Sequence, residues 1–213
     1  NRGESVRMET ALINRLQQLQ HNFERALSAR SIPSSEIRII ESFWINQSIA
    51  LEVSSDGLRR LATLPGITKI YSDEEIAVLD PEPPTPEEPA VLADEPSWAW
   101  ADMGLDRVIQ ETPAVNGEGV LLGSVDTGVD STHPAVQGKI AFFYDVERRI
   151  QTPGTDQGSH GTHTTGTILG GNRTDVRIGV APAAKLVAVG PLSRSSARLH
   201  GMQVLIDPDR DPQ

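Results

Sequence analysis

The chain has 213 residues, 38% of them hydrophobic, and a formal charge of −10 at pH 7, a composition that buries a core and is too apolar for a disordered tail. It contains no cysteine, which excludes a disulfide framework, a thiolate metal site and a cysteine nucleophile. The acidity is local: nine acids and no base lie between Ser72 and Glu95, and the flanking segments are close to balance, so no basic face for nucleic acid stands out. The longest apolar run, "IGVAPAAKLVAVG", is broken by Pro182 and Lys185 and falls short of the roughly 20 residues of a membrane span. Neither nucleic acid nor membrane is an expected partner. Because the first residue is Asn1 and not Met, the lack of a leader peptide does not argue against secretion.

Met8, Leu12, Leu16, Leu19, Phe23 and Leu27 recur at three- and four-residue steps, which predicts an amphipathic helix with one buried stripe, ended by Ile32-Pro33. "IRIIESFWINQSIALEV" predicts two short strands, with Ile49, Leu51 and Val53 alternating. "SSDGLRRLATLPG" predicts a second helix with an N-cap among Ser54, Ser55 and Asp56, an apolar face of Leu58, Leu61 and Leu64, and a Pro65-Gly66 stop. "ITKIYS" reads as a further strand. With a first strand near Ser5 to Arg7, residues 1–78 form an expected small α+β, ferredoxin-like split βαβ domain. Six of the chain's fifteen prolines fall between Pro81 and Pro96, a composition that extends and solvates the backbone. Residues 79–97 are therefore expected to be an acidic, proline-rich linker; the alternative is an ordinary surface loop of unusual length.

After the linker, "GVLLGSV" is a short apolar run entered through Asn116-Gly117 and followed at once by Asp126. Asp126 is thus expected at the carboxyl end of a buried strand, where open α/β sheets place their chemistry. "KIAFFYD" and "AKLVAVG" are two more candidate strands. Between them, "GSHGTHTTGTILGG" has too little bulk for a normal helix face. Its small residues make sense if the backbone lies close to something.

The null role for Asp126 is capping the turn that follows it. "VDTG" also matches the Asp-Thr-Gly turn of aspartic proteases, but that chemistry needs a second such turn or a symmetric dimer, and no second Asp-Thr/Ser-Gly occurs. What favours a chemical role is "GSHGTH", thirty-four residues on from Asp126. His160 and His163 are three apart, whereas the zinc-protease pattern wants His at i and i+4 with a Glu between. His163 stays open between a core histidine and a functional one. His160, at a helix start after glycine and serine, is the better reactive candidate.

"VLLGSVDTGVDSTHP", "GSHGTHTTGTILGG" and "IGVAPAAKLVAVG" together resemble the subtilisin-like serine endopeptidases over about residues 98–206, in the family's order and approximate spacing. By this resemblance Asp126 is the triad acid and His160 the triad base, residues 98–213 are the first part of an α/β parallel-sheet peptidase domain whose C-terminal half is missing, and the substrates are proteins or peptides. "LRRLATLPGITKIYSDEEI" is similar to the inhibitory propeptides of that family, so residues 1–78 are expected to act as an intramolecular inhibitor. Secretion is implied in the same way. The family's nucleophile lies in a Gly-Thr-Ser-Met-Ala-type motif and its oxyanion side chain is an Asn; neither motif is present. Ser193, Ser195 and Ser196 lack the small-residue setting of a nucleophile. The chain alone is therefore expected to be inactive, the alternatives being a propeptide-like inhibitor or chaperone, or a pseudoenzyme. No cofactor is implied. Many relatives bind calcium through an acid after the "HP" that follows the triad Asp, but Ala135 stands there.

Overall fold

The structure, a computed structural model, describes residues 2–30, 32–77, 98–171 and 177–207. Its elements in chain order are α1 (Arg2–Ser28), β1 (Ile37–Phe43), β2 (Ser48–Val53), α2 (Ser55–Leu61), α3 (Trp98–Met103), α4 (Leu105–Glu111), β3 (Leu121–Val125), β4 (Ile140–Asp145), β5 (Ile150–Gln151), α5 (His160–Leu169), β6 (Lys185–Gly190) and α6 (Ser195–Ile206). They pack as two compact units, Asn1–Glu75 with Arg194–Gln213, and Ile76–Ser193. The expected linker, 79–97, lies outside the described residues.

In the first unit, β1 and β2 form the expected antiparallel hairpin, with Ile37 opposite Val53 and Phe43 opposite Ser48. Phe43 and Trp44 are buried at its turn. Helix α1 keeps Leu16, Phe23 and Leu27 of the expected stripe inward but is rotated so that Leu12 and Leu19 fall outside it. Leu12 and Leu19 are exposed, whereas Gln20 and Leu27 are buried and Ile13, Leu16 and Phe23 are half-buried. The hairpin selects that face through polar contacts: Gln20 Nε2 donates to the Ser48 carbonyl at 3.3 Å and Gln47 Nε2 to the Leu16 carbonyl at 3.0 Å. The Met8 side chain lies outside those described. Helix α2 begins as expected, with the Ser54 hydroxyl accepting from the Gly57 amide at 3.1 Å, but it buries Leu61 and leaves Leu58 exposed.

Two expected strands are not formed. Residues 5–7 lie inside α1, and 67–72 have no regular structure. A strand exists only as one side of a ladder; with 5–7 helical, the edge that 67–72 would have paired with is gone, and the sheet of this unit is two-stranded among the described residues. Helix α6 packs here, against β1. Its His200 Nδ1 bonds Glu41 Oε1, and its Gln203 Oε1 accepts from the Ile45 amide.

The second unit carries the three strands expected for it, in a sheet of order β3-β6-β4-β5. β3, β6 and β4 are parallel, and the short β5 runs antiparallel on β4. Parallel neighbours need a crossover, and α5 is that crossover into β6. It runs back against the strands, so its N-terminus lies at their carboxyl edge. Leu169, near the other end of α5, is fully buried with Val129, Val136, Phe143, Leu186 and Ala188. The Lys139 ammonium closes this end by donating to the carbonyls of Leu169 (2.6 Å) and Pro182 (2.7 Å), a cation where the helix dipole favours one. Leu169→Ala should cost about 2–5 kcal/mol, since the side chain is fully buried in this cluster and its removal leaves a cavity; chemical denaturation of the 213-residue chain measures it.

Candidate active site

Asp126 is the first residue beyond β3. Its amide donates to the Val189 carbonyl of β6, and its own carbonyl accepts from Leu192, each at 3.0 Å. The backbone of this residue is thereby pinned from both sides before its side chain does anything. His160 opens α5, and its Nδ1 lies 2.7 Å from Asp126 Oδ1. A carboxylate can only accept, so Nδ1 carries the proton and the lone pair of the neutral ring sits on Nε2. Asp126 Oδ1 also accepts from the Thr127 amide at 2.7 Å, and Oδ2 accepts from the Thr164 hydroxyl at 3.1 Å. The Asp126 side chain is 16% exposed and that of His160 39%: the acid is enclosed while the imidazole keeps an open side.

The two residues come together because α5 presses its first turn onto the turn after β3. A Cβ on Gly161 would run into the Gly128 carbonyl, and one on Gly128, whose φ is +126°, into the Thr155 carbonyl. Glycine at 161 sets the separation of α5 from the turn, and glycine at 128 lets the segment before α5 pass beside that turn. The expectation that small residues of α5 serve close packing thus holds at Gly161. It does not hold at Gly166, where a Cβ would meet nothing. The threonines also do more than pack: Thr165 is buried, but Thr162 and Thr164 donate to carboxylates. His163 points outward and is exposed, which removes the core-histidine option.

Asp156, four residues before His160, went unnoticed in the sequence. Its Oδ1 accepts from the Thr127 hydroxyl (2.7 Å) and the Gly158 amide (3.1 Å), and its Oδ2 from the Thr162 amide (2.7 Å) and hydroxyl (2.5 Å). The only local signal was an acid shortly before a helix start in "TDQGSH". Burial opposes ionisation of Asp156, but these bonds outweigh it and hold the carboxyl below the ordinary aspartate range.

Of the serines, Ser196 is committed elsewhere: its amide and hydroxyl both donate to the Asp73 carboxylate, at 3.0 and 2.6 Å. Ala135 is buried in the apolar core of the second unit, and its carbonyl accepts from Gly171. That position supplies no side-chain oxygen to a calcium ion and does not fit one. Among the described residues, no group of three or more His, Asp and Glu could hold a metal, and no helix is long and apolar enough to cross a membrane.

The site is thus a strand-end Asp hydrogen-bonded to a helix-start His. Residues 117–205 match the model of the subtilase family. Over 96 residues the chain is 34% identical to fervidolysin of Fervidobacterium pennivorans, covering 43% of this chain and 13% of that protein. Over 171 residues it is 28% identical to bacillopeptidase F of Bacillus subtilis (strain 168), covering 72% and 12%. With the alkaline protease of Shouchella clausii it shares 27% identity over 185 residues, 85% of this chain and 43% of that one. Among solved structures, that of fervidolysin, described as a keratinolytic enzyme related to subtilisin, aligns with a TM-score of 0.39 and 25% identity over 50% of this chain and 18% of that one. These matches make the segment 117–205 similar to the subtilase family. The chain spans between 12% and 43% of the length of these curated relatives.

The lowered pKa of Asp156 ties the stability of the fold to pH. In the unfolded chain its carboxyl titrates at about 3.9; in the folded chain it titrates lower. Its stabilising contribution is therefore complete above the unfolded value and is lost as pH falls through the folded one. Melting temperature measured from about pH 6 down to pH 3 should fall less steeply in Asp156→Asn than in the parent chain.

Proposed function

We propose that Asp126 and His160 are the acid and base of a Ser-His-Asp triad in a secreted serine endopeptidase acting on proteins or peptides. The observation that carries this reading is the 2.7 Å bond from His160 Nδ1 to Asp126 Oδ1, with the opposite ring nitrogen on the more open side. A serine hydroxyl is a weak nucleophile at neutral pH and needs a base such as imidazole beside it. As its oxygen attacks the scissile carbonyl carbon, Nε2 of His160 takes the hydroxyl proton and the carbonyl electron pair moves onto oxygen. The enclosed Asp126 carboxylate holds the ring in the required tautomer and stabilises the imidazolium that forms. When the tetrahedral adduct collapses, the C–N bond breaks and the leaving amine takes that proton. Water then repeats the sequence on the acyl-serine.

In this reading residues 98–213 are the first part of the peptidase domain, residues 1–78 its inhibitor-type propeptide, and 79–97 the linker between them. The nucleophilic serine and the oxyanion asparagine belong to motifs absent from residues 1–213, so this polypeptide is inactive by itself. No calcium is assigned, because Ala135 stands where the ligand would be. The coding sequence beyond Gln213 is expected to continue into an Asn-bearing strand and a Gly-Thr-Ser segment. The purified 213-residue chain should not hydrolyse an unfolded protein substrate; hydrolysis abolished by His160→Ala would refute the assignment of a missing nucleophile. In the extended product, His160→Ala should lower turnover on the order of a millionfold.

A second reading, in which residues 1–78 restrain or chaperone a peptidase in trans, is favoured by one observation. Asp73 caps the first turn of α6 through Ser196, and α6 falls largely within the segment matched to the family. In that reading an acid of residues 1–78 caps a helix of the matched segment, a placement the helix N-terminus favours. Residues 1–97 alone are then expected to inhibit a subtilisin-type enzyme, read as a progressive loss of its activity with added peptide. A linear, unchanged progress curve at saturating peptide contradicts this role.

A further inference from the structure

We infer that Asp156 is a positioning residue for the Asp126–His160 pair, holding the first turn of α5 at the distance that lets the imidazole reach its carboxylate. The inference rests on the proposed roles of Asp126 and His160 but concerns a residue that those roles do not require.

The first turn of a helix exposes amides with no partner inside the helix, and the N-cap side chain ordinarily satisfies those at its second and third positions. Ser159, the N-cap of α5, does not: it sits at φ +58° in the left-handed region and makes no side-chain cap bond. A serine held there costs on the order of 1–3 kcal/mol and persists only where its surroundings impose it. The two amides are instead taken by side chains outside the cap position, one of them on the far-off turn after β3. Gly161 N donates to the Thr127 hydroxyl at 2.9 Å, and Thr162 N to Asp156 Oδ2 at 2.7 Å. The Thr127 hydroxyl in turn donates to Asp156 Oδ1 at 2.7 Å.

The capping of α5 and the fastening of the turn that bears Asp126 are thus one network with Asp156 at its centre. Thr127 follows Asp126 directly, and Thr162 lies two residues beyond His160, so each arm of the carboxylate holds one member of the pair through a single neighbour. The Thr162 hydroxyl, accepting from the Asp130 amide at 2.9 Å, adds a third tie between the same two segments. Removing the Asp156 carboxylate strips acceptors from four donors at once and leaves the Thr162 amide in the first turn of α5 uncapped. The helix itself, anchored at its far end by Leu169 and Lys139, stays on the sheet. What is lost is the register of its first turn against Asp126.

The test uses proton NMR of the 213-residue chain. A histidine Nδ1 proton donated to a carboxylate resonates far downfield of the backbone amides, and the structure supplies two such protons, on His160 against Asp126 and on His200 against Glu41 in the other unit. His160→Gln and His200→Gln assign them. In Asp156→Ala the His160 signal should fall at least several-fold while the His200 signal keeps its intensity, and in Asp156→Asn, which retains one acceptor oxygen, the loss should be partial. Val136→Ala, a core cavity away from the network, should keep the His160 signal despite a lowered melting temperature. An unchanged His160 signal in Asp156→Ala overturns the inference, and so does an equal loss in Val136→Ala, which would make Asp156 a contributor to stability alone. If the parent chain shows no downfield signal that His160→Gln removes, while the His200 signal is present, the Asp126–His160 pair itself fails and the inference with it.

Discussion

The arrangement in the second unit hangs on the approach of one helix start to one turn. The first turn of α5 lies so close to the backbone after β3 that Gly161 has no room for a side chain against the Gly128 carbonyl, and only at that separation does a ring on His160 reach a carboxylate on Asp126. A side chain at Gly161 would hold the helix away by roughly the thickness of a methyl group. That displacement is enough to lose a bond whose geometry is narrow. The small residue at 161 is what lets the crossover helix come this close.

Close approach brings its own cost, because it places backbone amides where water cannot easily serve them. The solution is local to the site. Asp156 and the Thr127 hydroxyl take the amides that the strained Ser159 leaves unserved, and the bonds that settle the helix also immobilise the turn. Enclosed carboxylates are tolerable when hydrogen-bonded to this extent. Asp126 and Asp156 both meet that condition, the first with three donors and the second with four. The far end of α5 is settled differently, by the buried Leu169 and the Lys139 ammonium, which leaves the chemical end free of any core-packing demand.

The first unit shows the same economy with other parts. Its hairpin is too small to be stable alone, and it gains α1 on one side and α6 on another. The selection among helix faces is made by polar groups: Gln20 and Gln47 hold α1, and Glu41, Asp73 and Glu75 hold α6 and the residue before it through His200, Ser196 and Arg194.

Much of the site was legible before any fold was known. Asp126 after an apolar run, His160 at a helix start and the glycines around them are local patterns, and local patterns follow from short-range sterics and hydrophobic periodicity; the three parallel strands and α5 were readable for the same reason. Which face of α1 turns inward, whether residues 67–72 become a strand, that His163 looks outward and that Gly166 has empty space beside it were not readable. Each depends on a partner far away in the chain. Asp156 is the clearest case: in the sequence it is one acid among twenty-nine acidic residues, and its meaning lies in bonds to Thr127, twenty-nine residues earlier, and to the first turn of a helix whose own cap had gone elsewhere. The amino-acid order by itself determined which residues could perform acid–base chemistry and where strands and helices would start; the tertiary structure alone decided which of them meet, because hydrogen bonds and close packing act over a few ångströms of space and not along the chain.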